Sequence, residues 1–504
     1  MSSQALGIEH VFVLMLENRS FDHLLGFSGI RGTDAVTGRD TGINGLSGTE
    51  SNQFGGATYT VSEGADWAMP TDPGHEFPDV LTQLCGAGAQ YPRGGAYPPI
   101  DASGFVAAYV ASGGKNPAEI MKCYTPAQLP VLNALAAEFA LCDNWHASMP
   151  GPTWPNRMFV HAASSGGLDH SPSTGEIVEW ETLDGFQIPN GTIFAALSRK
   201  GISWRIYGGD DFPMAAALKG ITLGDVRHYS LFSGDLNAAS FPPQYVFIEP
   251  SYDALHDYKA GDSQHPLGDV TQGERLIQQT YEAIRNSPLW TSSLLIVTWD
   301  EHGGFFDHAI PPAAADPGDT APNTKYNQNG FTFEQYGPRV PAVIVSPLIE
   351  KNQIDHRLYD HASILATVEA IFGLEALTAR DASANRLDKL VTLSAARDDA
   401  PATMPPPANS GAGSGAALPA MAATVTPVTR PADPVDEGNV PAILHSAMHR
   451  DLEVSPGGRQ LILARVAAIT TRAEAAAYLT DVQQKVGRVA GSPPAPSAAG
   501  SSAP

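Results

Sequence analysis

Two stretches decide the fold. The first is His10-Val-Phe-Val-Leu-Met-Leu-Glu-Asn18, and the second is Ser293-Leu-Leu-Ile-Val-Thr-Trp-Asp-Glu-His-Gly-Gly304. Each is a short, unbroken apolar run that stops abruptly at acidic or amide residues. That pattern reads as a strand buried on both faces of a parallel sheet, with polar groups at its carboxyl end. Further apolar runs lie at 202–207, 245–248 and 340–345, and helical spacing recurs at 129–138, 192–199, 273–285 and 362–372. Strands alternating with helices predict an α/β fold, a doubly wound, mostly parallel sheet with helices on both faces. Ligands of such sheets bind outside the carboxyl ends of the strands. Glu17-Asn18 and Asp300-Glu301 stand there.

The chain has 504 residues, roughly three usual domains in length, and 43% of them are hydrophobic, so a sizeable core is available. Its net charge of −23 argues against a nucleic-acid partner held by phosphate neutralisation. Cys85, Cys123 and Cys142 lack zinc-ribbon or redox spacing and read as small buried hydrophobes. The first residues lack a basic start and apolar core of a signal peptide, and no apolar run suffices for a transmembrane segment. The expectation is a soluble chain, cytoplasmic or exported by another route. From about residue 399 the composition shifts to Ala, Pro, Gly and Ser. The expected organisation is a catalytic domain over 1–398, a linker over 399–439, a helical appendage over 440–490 and a disordered tail over 491–504.

Glu17, Asn18, Asp300 and Glu301 offer hard oxygen ligands suited to a divalent cation. Taken singly, Glu17 equally suits a helix cap or a pairing with Arg19. Asp300-Glu-His-Gly-Gly-Phe-Phe-Asp-His308 packs acids and histidines around a glycine turn. His75, in Asp72-Pro-Gly-His75, and His265, before Pro266, also sit in turns, where each serves either a cleft or a local hydrogen bond. In Met149-Pro-Gly-Pro-Thr-Trp-Pro-Asn-Arg157, the prolines stop the chain and Thr153 stands at the N-cap of a helix running to about residue 165. A hydroxyl there meets free N–H groups able to cradle a phosphate, and the plain alternative is a cap alone.

Glu17-Asn-Arg-Ser-Phe-Asp-His23, Pro152-Thr-Trp-Pro-Asn-Arg157, His265-Pro266 and Asp300–His308, in that order, resemble the phosphoesterase family of bacterial phospholipases C, plant non-specific phospholipases C and related acid phosphatases. The resemblance covers about residues 8–375. It implies an alkaline-phosphatase-like fold and a divalent metal (Ca, Mg, Mn or Zn) held by Glu17, Asn18, Asp300, Glu301 and the oxygen of Thr153. It further implies Thr153 as nucleophile, through a phosphothreonine intermediate, with His265 as the acid for the leaving alkoxide and His75 steadying the phosphoryl oxygens. Asp22, His23, Asp307 and His308 are expected to support the ligands.

The resemblance implies a phosphoric ester hydrolase, foremost a phospholipase C that touches a membrane surface transiently and leaves diacylglycerol and a phosphorylated head group. The alternative is an acid phosphatase acting on small phosphate esters with the same site. The acid-phosphatase branch uses serine as nucleophile and an Asp-His pair on a middle strand. Here Thr153 and Trp204-Arg-Ile-Tyr-Gly-Gly-Asp210 stand instead, and threonine fits the phospholipase branch. Phe27, Trp154, Phe305, Phe306 and the stretch 84–99 are candidates for an apolar approach to the site.

Overall fold

A computed structural model describes residues 7–182, 186–319, 325–411, 428–436 and 438–490. The expected tail over 491–504 and the middle of the expected linker, 412–427, lie outside them. The main sheet has ten strands: β1 (His10–Leu16), β2 (Arg31–Asp34), β3 (Asp40–Gly42), β4 (Ala140–Cys142), β5 (Trp204–Gly208), β6 (Val226–His228), β7 (Tyr245–Glu249), β8 (Ser293–Trp299), β9 (Ala342–Val345) and β10 (Gln353–Asp355). Their spatial order is β6-β5-β7-β1-β8-β9-β4-β10-β2-β3. Neighbours run parallel except β9, which opposes both β8 and β4, and β3, which opposes β2. The two apolar runs that end in Glu17-Asn18 and Asp300-Glu301, β1 and β8, are adjacent, parallel and buried along their whole length at the centre of the sheet.

Helices cover both faces. On one, α2 (Pro130–Glu138) and α6 (Val270–Arg285) pack together over β4, β9, β1 and β8. On the other, α3 (Thr153–Ala162) packs against α5 (Ile193–Lys200) and α7 (Ala362–Phe372). Local chemistry starts these helices: Pro130 occupies the first turn of α2, the Thr192 hydroxyl caps α5 and the Asp269 carboxylate caps α6. Two more helices matter to the site. They are α1 (Phe77–Cys85), which follows the His75 turn, and α4 (Thr174–Thr182).

The chain after the sheet is packed against it. In the 399–411 stretch, Ala400 and Met404 are buried, and the Ala400, Pro401 and Ala402 carbonyls accept hydrogen bonds from Arg285, Tyr281 and Asn286 of the α6 region. Beyond residue 437 come α8 (Val440–Val454), α9 (Arg459–Ala467) and α10 (Arg472–Ala490), and α8 packs between α4 and α10. All three cysteines are free thiols. Among the described residues, no helix is long and apolar enough to cross a membrane.

Candidate active site

The register of β1 against β8 pairs Leu16 with Trp299, so Glu17 and Asp300 leave the sheet side by side. Both are fully buried, as are Asn18 and Glu301. The Asn18 backbone N–H donates to Asp300 Oδ1 at 3.0 Å, and its side-chain amide donates to Glu301 and, at 3.2 Å, to Thr153 Oγ1. Asn18 thereby ties the carboxylates of β8 to the hydroxyl of α3. Its φ of 60° is left-handed, a conformation asparagine tolerates better than most side chains. The turn opposite fits closely: a Cβ on Gly303, at φ +63°, would stand 2.1 Å from the Asn18 carbonyl oxygen, so only glycine serves there.

Thr153 is the first helical residue of α3, and Pro152 takes the cap position expected for Thr153 itself. The helix ends at Ala162, where Ala163 turns left-handed at φ 52°, short of the expected 165. Asn156 fastens the turn that presents Thr153. Its amide accepts from Met149 N–H and donates to the carbonyls of Met149, Gly151 and Pro152. One turn after Thr153, Arg157 donates to Asp300 Oδ2 at 2.9 Å and to the Leu16 carbonyl at 3.0 Å. Asn156 and Arg157 stand in the motif around Thr153 with no local signal for these roles, yet they join the hydroxyl, Asp300 and the end of β1 into one unit.

The histidines come on two loops. Arg19 does not pair with Glu17; it donates to the carbonyls of Gln264 at 2.7 Å and His265 at 3.2 Å. Trp299 Nε1 donates to the Gln264 side chain at 2.9 Å, which holds Gln264 at φ 70°. His265 Nδ1 accepts from Leu267 N–H, leaving Nε2 to face Asp72 Oδ2 at 3.5 Å. The ring stacks on Tyr258 with centroids 3.4 Å apart and planes 4° from parallel. The His75 ring stands 6.4 Å from that of His265, centroid to centroid. Asp72 and Tyr258 are therefore neighbours of the histidines. The Asp72-Pro-Gly-His75 turn was visible in the sequence, whereas nothing local singled out Tyr258.

Charge is unevenly matched. Burial holds the Glu17 carboxyl above the usual range and the Asp300 charge adds to it; burial also raises Asp300, against the pull of Arg157. Burial alone would lower His75, but the charges of Glu301 and Asp72 outweigh it and push the imidazole up to about 9, so it is a cation at neutral pH. His265 goes the other way: burial, then the charges of His75 and Arg19, hold it well below its ordinary value and keep it neutral. Two buried oxygens, Glu17 Oε1 and Asn18 Oδ1, have no hydrogen-bond partner. Hard, unpartnered oxygens beside crowded carboxylates fit a divalent cation.

A second acidic group lies further along the same two segments. Asp22, Asp307 and His308 have ligand atoms within 4.8 Å of one another, a tighter grouping of acids and histidine than any among the described residues of the first cluster. Arg339, however, already bonds both carboxylates at 2.9 Å, and Asp22 Oδ2 lies 2.7 Å from His308 Nδ1. Three of the residues expected to form an apolar approach do not line one. Trp154, Phe305 and Phe306 are buried: Phe305 stacks on His23 with centroids 3.6 Å apart, and Trp154 lies against Trp180 and His445. Phe27 flanks the same small core as Phe306.

A mostly parallel α/β sheet that gathers carboxylates, a hydroxyl at a helix start and two histidines beyond its strand ends defines a phosphoric ester hydrolase. The phosphoesterase family model matches residues 8–375, and the chain belongs to that family. It is 36% identical over 419 residues to non-specific phospholipase C6 of Arabidopsis thaliana, covering 79% of this chain and 75% of that protein. It is 27% identical over 413 residues to phospholipase C B of Mycobacterium tuberculosis, covering 73% and 74%. A solved protein of the alkaline phosphatase superfamily from Vibrio parahaemolyticus overlaps 52% of this chain and 66% of its own, at 14% identity and a TM-score of 0.30, too loose a likeness to carry an argument.

Proposed function

We propose that the protein is a metal-dependent phospholipase C that cleaves the glycerol side of a phospholipid phosphodiester. The relatives named above support the substrate class, and one observation carries the chemistry: a buried threonine hydroxyl at the first residue of α3, held by Asn18 within the carboxylate cluster. Glu17, Asn18, Asp300, Glu301 and the Thr153 oxygen would hold the cation. When bound, it supplies Lewis acidity at the hydroxyl and offsets phosphoryl charge.

In this reading the Thr153 hydroxyl gives its proton to solvent and its oxygen attacks phosphorus in line, while free N–H groups at the start of α3 receive the phosphoryl oxygens. The His75 imidazolium adds positive charge on the same anion. The bond from phosphorus to the glycerol oxygen breaks, and that oxygen takes a proton from His265, giving diacylglycerol and a phosphothreonine that still carries the head group as a diester. His265 is neutral in the free protein, so it gains its proton as the phosphodiester anion arrives and raises its basicity. Asp72, raised by burial to about 6 and so ionised at neutral pH, faces its Nε2 at 3.5 Å and steadies the imidazolium, whose proton comes from solvent. Water then attacks phosphorus, the bond to the Thr153 oxygen breaks with that oxygen regaining a proton, the phosphorylated head group leaves, and two in-line displacements retain configuration at phosphorus.

Release of phosphocholine from phosphatidylcholine vesicles, by the chain and by Thr153→Ala, tests the reading. Equal turnover by both removes Thr153 as nucleophile. A strong preference for a nitrophenyl phosphate monoester over nitrophenylphosphocholine assigns the site to phosphomonoesters instead.

A further inference from the structure

The C-terminal segment reaches the candidate metal ligands. Asn439, immediately before α8, donates its side-chain amide to Glu17 Oε2 at 2.7 Å across 422 residues of sequence. Its backbone N–H donates to Tyr258 Oη at 3.1 Å, the phenol whose ring stacks on His265. Asn439 is 4% exposed, so both bonds are made out of solvent.

Three observations show this contact is built rather than incidental. Asparagine is a preferred helix cap, yet Asn439 in the cap position of α8 makes no cap bond and directs its amide at Glu17. The preceding Gly438 has φ +55°, and a Cβ on it would stand 2.4 Å from Tyr258 Oη, so the backbone approaches as closely as only glycine permits. The approach is also anchored: Asp436 accepts from the Thr174 backbone at 2.7 Å, Arg472 pairs with Asp257 at 3.1 Å, and His445 of α8 stacks on Trp154, the residue after the nucleophile.

We infer that Asn439 is a positioning residue of the active centre: its amide orients the Glu17 carboxylate, leaving Oε1 free for the cation, while its backbone N–H steadies the Tyr258 ring that fixes His265. This deepens the proposed function and rests on it, since it takes Glu17 as a ligand and His265 as the proton carrier. Groups that orient a ligating carboxylate commonly change metal affinity or activity by about 10- to 100-fold when removed. The segment beyond the sheet is thus part of the site.

The test uses the full chain with Asn439→Ser and Tyr258→Phe. Serine is itself a good cap, so α8 keeps its start while the reach to Glu17 is lost; phenylalanine keeps the ring on His265 and loses only the hydroxyl. Calorimetric titration of each protein, stripped of metal, with Mn²⁺, Ca²⁺, Mg²⁺ and Zn²⁺ is read beside kcat, KM and thermal midpoint. Asn439→Ser is expected to bind the preferred cation about tenfold more weakly, with kcat reduced, KM little changed and the midpoint within a few degrees. Tyr258→Phe is expected to keep wild-type metal affinity and lose severalfold in kcat. Wild-type affinity and kcat in Asn439→Ser would overturn the inference, and so would a loss explained wholly by a fallen midpoint. If the wild-type chain itself takes up none of the four cations, the metal reading of the site fails instead.

Discussion

Two carboxylate clusters hang from the ends of β1 and β8, and they are finished differently. Asp22 and Asp307 share the guanidinium of Arg339, which also lies over the Phe21 ring, and His308 closes the group. Every charge there has a bonded partner. Among the described residues, the one arginine or lysine bonded to Glu17, Asp300 or Glu301 is Arg157, at Asp300, while Glu301 also faces His302 Nδ1 at 3.3 Å. The compact cluster resembles a metal site by distance, but the open one has the unmatched charge and the unpartnered oxygens. Burying a carboxylate is costly unless it is paired, so the uncompensated cluster is where a cation has something to gain.

The contrast makes predictions of decreasing size. Thr153→Ala is expected to lower kcat by about 10⁴-fold or more with folding intact, measured by phosphocholine release. Arg339→Ala leaves two buried carboxylates facing each other and is expected to cost about 3–5 kcal/mol in denaturant unfolding, a loss that added metal does not repair. Glu17→Gln has the opposite sign in the metal-free chain: removing a strained charge is expected to raise the thermal midpoint by about 2 °C at pH 8 while activity falls at least 100-fold.

The pH dependence follows from the same asymmetry. Glu17 and Asp300 hold their protons more tightly folded than unfolded. The metal-free chain therefore loses stability as pH rises from the ordinary glutamate value of about 4.5 through the raised folded values, and the curve is flat beyond them. Metal-loaded protein is expected to lack that slope, which a series of thermal midpoints between pH 5 and 9 would reveal. The smallest effect is His308→Gln, with a cost of about 1 kcal/mol and activity within a few-fold of wild type, because its partners Asp22 and Arg339 remain joined.

How much of this was legible in the sequence varies with how local the cause is. The two central strands, their acidic ends and the parallel pairing followed from unbroken β-branched runs. The helices α2, α5, α6 and α7 followed from spacing, with α6 starting earlier than expected, at Val270. The three- and four-residue strands β2, β3, β4 and β10 were missed, since they are too short to show a period. The antiparallel direction of β9 is set by its neighbours rather than by its own residues. Within the site, Asn156 and Arg157 sat inside a quoted motif, but their roles depend on a turn and a strand end that only the fold brings near. Asn439 shows the limit most plainly. A helical segment from residue 440 was expected, whereas the bond from the residue before it to Glu17 belongs to tertiary structure alone.

The central claim is that the open cluster, and not the compact one, holds a metal. Elemental analysis of wild type, Glu17→Gln and His308→Gln, each purified identically and then titrated with the preferred cation, tests it directly. The account predicts bound metal in wild type and His308→Gln and none in Glu17→Gln. Metal retained by Glu17→Gln and lost by His308→Gln would contradict it.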